Sequence, residues 1–132
     1  MRALALLLML SLPAQAADRL SVPSGQLVLP YEILWEDHIG AGEKREVWVI
    51  FRFLAPGIAK AKGEMTFADT APDIDFMCDN VALPLVEMTG GGVDQVIVTF
   101  MDRPIARGRS DKTVTQFMNA YRVDQGVCEW EG

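Results

Sequence analysis

Arg103, Arg107, Arg109 and Lys112 crowd into one short stretch of a chain whose formal charge is −6. Guanidinium groups bind carboxylate or phosphate as a two-pronged fork, and the first N–H groups of a helix attract the same anions. Ser110 stands where it would cap a helix starting near Asp111, so Arg107, Arg109 and Arg103 are read as contacts for an anionic group at that helix start. The alternative is a solvated turn whose arginines pair with the protein's own carboxylates.

The other chemistry-bearing residues suggest less. A hydrolase would work through carboxylates such as Asp102 or Asp94 near the end of the third strand, and two carboxylates in one cleft with one pKa raised would support it. His38 is the only histidine and sits among Glu36, Asp37 and Gly40. No nucleophile-elbow sequence accompanies it, so it is read as a solvated loop residue and no catalytic residue is assigned. Asp73, Asp75, Asp79 and Asn80 imitate a calcium loop, but Met77 and Cys78 occupy the places where that loop needs an oxygen ligand and a glycine. Two distant cysteines and one histidine lack zinc spacing. Gly90 to Gly92 lack the Lys-Ser/Thr of a phosphate loop. No metal or cofactor is expected.

The elements that must position these residues follow from periodicity. Tyr31 to Glu36 alternates, with Tyr31, Ile33 and Trp35 on one face, and pairs as a hairpin with Glu46 to Leu54. In the second strand Trp48, Ile50 and Arg52 share a face opposite a wholly apolar one. Trp48 is core if a helix covers that face; otherwise Trp48 and Arg52 form a possible interaction surface. A helix capped by Thr66 or Thr70 carries the stripe Phe67, Ala71, Ile74, Cys78, Val81 and Leu85, and Pro84 should end or kink it. Val93 to Met101 is apolar on both faces, which argues for a place inside the sheet or under a helix. A second helix from about Asp111 turns Val114, Phe117, Met118 and Tyr121 inward, and Arg122 to Trp130 is a last strand broken at Gln125 and Gly126. The order β-β-α-β-α-β implies an α+β fold: a small, mostly antiparallel sheet of about four strands, with two helices on one side.

Met1 and Arg2, an apolar run from Ala3 to Leu12, and small residues at Ala14 and Ala16 read as a signal peptide over residues 1–16, leaving one domain over 17–132. The run is too short for a membrane span, so no stable membrane insertion is expected after cleavage. Removing Arg2 makes the chain still more acidic, which excludes general attraction to nucleic acid. An exported chain with two cysteines, Cys78 on the core face of a helix and Cys128 on the last strand, favours a disulfide between them.

The fragments Phe51 to Pro56, Cys78 to Pro84, Met101 to Pro104, Thr115 to Phe117 and Cys128 to Gly132 together resemble a family of short exported bacterial proteins of unknown function. The resemblance implies export and a single domain holding both cysteines, and it carries no activity or assigned site. The expectation is a periplasmic or extracellular binding module for a partner protein of the envelope or for a small anionic ligand. A carboxylate-dependent hydrolase and a structural component of an envelope assembly are the alternatives.

Overall fold

Two apolar runs make the middle of the molecule. In the computed structural model, which describes residues 19–63 and 65–132, they are β2 (Arg45–Leu54) and β3 (Gln95–Met101), paired in parallel from Trp48↔Gln95 to Leu54↔Met101. Every residue of β3 is buried, as its apolar character on both faces predicts. The expected signal peptide lies outside the described residues.

A parallel pair needs a long crossover. Here it is one helical segment made of α1 (Phe67–Met77), a π-type turn (Cys78–Ala82) and α2 (Leu83–Met88). Thr66 opens it with a capping box: its hydroxyl accepts the Asp69 N–H, and the Asp69 carboxylate accepts the Thr66 N–H. Pro84 does not end it. A proline ring clashes with the carbonyl four residues back, and the wide turn just ahead, in which the Leu83 N–H reaches the Cys78 carbonyl, gives it room.

On the outer side of β2 lies β1 (Leu29–Ile39), antiparallel; beyond β3 come β4 (Gln116–Asp124) and β5 (Val127–Trp130), also antiparallel. The sheet therefore has five strands in the order β1-β2-β3-β4-β5. The α+β architecture with helices on one side stands, and two of its expected details are corrected. The segment after Asp111 is β4 rather than a second helix, and the last run is the end of β4 plus β5, so about four strands become five. Phe117, Tyr121 and Val123 also satisfy a period of two, and a sheet strand rather than a helix must satisfy the second edge of the fully buried β3. Gln125 and Gly126, both at positive φ (51° and 74°), form the two-residue hairpin turn that joins β4 to β5.

The core lies between the helical segment and one sheet face. Ile74, Met77, Cys78, Ala82 and Val86 pack on Val49, Phe51, Phe53, Val96, Val98, Phe100 and Tyr121. Ile74 and Cys78 of the expected stripe are buried, whereas Phe67, the first residue of α1, and Leu85, beyond the π-type turn that rotates the helical face, are exposed. Cys78 is joined to Cys128 on β5, with a Cα–Cα distance of 6.3 Å. Asp73 is buried on α1 and accepts hydrogen bonds from the Ser24 N–H, the Ser24 hydroxyl and the Gln26 amide, which fasten the segment ahead of β1 to the helix.

Candidate functional site

The opposite sheet face carries no helix, and the register arranges its side chains in cross-strand rows. One row is Glu32, Arg52, Thr99 and Met118; the next is Leu34, Ile50, Ile97 and Ala120; the third is Glu36, Trp48, Gln95 and Arg122. The arginine-rich connection, residues 102–115, folds back over these rows as a strap. Asp102 closes its base by accepting the Thr115 N–H at 2.5 Å and donating its own to the Thr115 carbonyl at 3.1 Å. The Gln116 amide donates to the Arg109 carbonyl at 3.0 Å. Far across the sheet, Arg107 grips the Glu36 carboxylate of β1 with two hydrogen bonds of 2.8 and 3.0 Å.

The arginines read as an anion site thus stand on a strap and not at a helix start, since that helix does not exist. Arg107 pairs with Glu36, and Arg103 donates to the Thr113 hydroxyl. Arg109 has no carboxylate partner among the described residues; it lines a concavity of about 350 Å³ with Arg52, Thr99, Arg107, Ser110 and Met118.

Trp48 and Arg52, the possible interaction surface, are engaged internally. Arg52 is only 2% exposed and donates to Glu32 and to the Ile105 carbonyl, anchoring the strap from below. Trp48 is half-buried beneath His38, with ring centroids 3.7 Å apart and planes within 16°. His38 lies in β1 rather than in a loop, and its Nε2 is 2.8 Å from Glu36. Beyond Trp48, Arg122 bridges Glu46 at 2.9 Å and Glu131 at 2.5 Å, and its guanidinium holds the Glu46 carboxyl below its ordinary range.

On the helix side, the sheet is wider than its cover. Ile33 and Trp35 stand opposite Phe51 and Val49 in the register, yet they are 47% and 54% exposed, because the helical segment stops short of β1. The result is an apolar groove of about 440 Å³ lined by Leu20, Tyr31, Ile33, Phe51, Val81 and Leu85. It continues past Trp35, Val86 and Thr89. Met88, also exposed, ends the helix beside it. The alternation of Tyr31, Ile33 and Trp35 is legible in the sequence; that no helix reaches them is a tertiary fact without a local signal.

One comparison bears on identity. The family model described as a family of unknown function, DUF6497, matches residues 6–132. The chain belongs to this family. No curated protein and no solved structure matches it. In the DUF6497 fold the two aspartates named for a hydrolase do not share a cleft. Asp94 and Asp102 stand at opposite ends of β3, roughly 25 Å apart at about 3.3 Å per residue, whereas a glycosidase pair lies within about 10 Å. Both serve the backbone instead: Asp94 accepts the Val47 N–H at 2.8 Å, as Asp102 accepts that of Thr115. Among the described residues no helix of this DUF6497 chain is long and apolar enough to cross a membrane.

Proposed function

We propose that this DUF6497 protein is an exported binding module that docks an extended segment of a partner protein against β1 and the groove behind it. The observation that carries this reading is the exposure of Ile33 and Trp35 along an edge strand. Apolar side chains in a row beside unpaired backbone groups are what strand addition uses: the backbone supplies the hydrogen bonds and the pockets read alternate side chains. Charge indicates the partner's character. Glu32 and Glu36 are taken by Arg52 and Arg107, but Asp37 and Glu87 are exposed at the rim of an acidic chain, which favours an apolar segment flanked by Lys or Arg. Export rests on the expected signal peptide and agrees with the disulfide.

A photo-cross-linker placed at residue 33 tests the reading in the native envelope fraction. One discrete adduct is expected, lost on Trp35→Ser and Leu85→Ser and kept on Arg109→Gln. Direct binding of that partner should weaken on the order of 10- to 100-fold when Ile33 and Trp35 are both serine, the range for removing two central anchors. Undiminished cross-linking in the groove variants overturns the proposal.

A further inference from the structure

Edge strands ordinarily keep copies of a chain apart with unpaired charges, prolines and bulges. β1 is protected in this way at one end only. Pro30 lacks an N–H, the register skips Tyr31 as a bulge, and Leu20 already bridges Val28, so the edge open to pairing runs from Glu32 to Ile39. On the strap side of that edge stand Glu32 and Glu36, and both are neutralised within the chain, by Arg52 and Arg107. On the groove side Ile33 and Trp35 are apolar and half exposed. The two carboxylates that would repel a second copy therefore do not act as bare charges.

We infer that, when no partner segment is bound, β1 is covered by β1 of a second copy, paired antiparallel about Leu34; this rests on the reading of β1 as a docking strand and adds its regulation. In that pairing Ile33 of each copy stands opposite Trp35 of the other, a β-branched–aromatic pair made twice. Glu32 stands opposite Glu36, and the guanidinium that each carboxylate brings with it leaves the row neutral as a whole. Pairing stops at the bulge in each copy. There the antiparallel Leu20–Val28 bridge lays the exposed Arg19 alongside Leu29, and Asp37 of the other copy, exposed and in no ion pair among the described residues, runs toward it. Such a charge pair at the rim fixes the register. With Leu85 and Met88 flanking the row from both copies, the interface buries on the order of 1,000 Å², the small end for a stable dimer and consistent with micromolar affinity. A partner segment must displace the second copy, so weak ligands are kept out of the groove.

Sedimentation equilibrium of the purified, oxidised domain over a concentration series tests the inference. A reversible monomer–dimer equilibrium is expected, weakened on the order of 10- to 100-fold by Ile33→Asp or by Trp35→Lys, each the loss of a central contact made twice. Mixing those two variants should restore a dimer, because residue 33 of one then meets residue 35 of the other with opposite charge while the second Ile33–Trp35 pair stays intact. Circular dichroism of each variant checks that it is folded. In the unmutated protein, amide exchange should slow with concentration at β1 and stay constant at β5, the opposite edge. A monomer at every concentration, a dimer undiminished in both variants, no recovery on mixing, or protection rising at β5 instead would each overturn the inference. The docking reading fails separately: a monomer that still forms the envelope adduct at residue 33 removes only the second copy, whereas a β1 dimer with no envelope adduct removes only the partner.

Discussion

Glu36 shows how much one side chain can hold together. Arg107 of the strap takes both its oxygens, His38 of its own strand contacts one of them, and the His38 ring lies flat on Trp48 of β2. The Arg107 hydrogen bonds, helped by His38, bring the Glu36 carboxyl from 4.5 down to about 2. A carboxyl depressed by folding contributes stability above its unfolded pKa and loses it as pH falls through the folded value. The window is therefore about pH 4.5 to 2. Glu36 is 28% exposed, so solvent screening reduces the contribution to on the order of 1–2 kcal/mol. Glu36→Gln should unfold at lower urea at neutral pH and show a smaller loss between pH 4.5 and 2 than the wild type. Parallel pH dependences in urea melts would contradict the latch.

At the scale of elements, the disulfide fastens the shortest strand. β5 has four residues and a single neighbour, β4, and would fray without an anchor. Cys78→Ser with Cys128→Ser should cost roughly 4 kcal/mol in the chain-entropy account for a separation of 50 residues. Hydrogen exchange should speed up most at β5 and the end of β4, with β2 and β3 the last to open; uniform acceleration would contradict a local anchor. The bond was readable from two cysteines on core-facing positions, as were β1, β2, β3 and the capped start of α1. β4 was not: Val114, Phe117, Met118 and Tyr121 mimic a helical stripe, and only the demand of β3 for a partner, invisible in a local window, makes that segment a strand. For the same reason the arginines were recognisable as a basic cluster, while their strap geometry was not, since Arg107 meets Glu36 across 71 positions of sequence. The burial of Asp73 has no local signal either, because its partners, Ser24 and Gln26, lie 49 and 47 positions away.

Over the whole molecule, the two sheet faces do different work: one is sealed by the helical segment except along β1, and the other is roofed by a strap that leaves a polar pocket. Both rest on the parallel seam between β2 and β3, the only pairing among the described strands that is not antiparallel. That seam has a kinetic consequence. The β1–β2 and β4–β5 hairpins close over short loops, but β2 meets β3 only after the chain has looped back across residues 55–94, and such closure entropy must be met before any contact rewards it. The rate of folding should therefore be set at the seam. In stopped-flow fluorescence of the oxidised domain, Val98→Ala should chiefly slow refolding, whereas Val123→Ala near the β4–β5 turn should chiefly hasten unfolding. The reverse assignment would place the barrier in the hairpins. If the seam is limiting, a partially folded chain presents β1 and β2 as a two-stranded ribbon with Ile33, Trp35, Val49 and Phe51 bare on one side, so the strand proposed to recruit a partner is also the one most exposed to self-association while folding is incomplete.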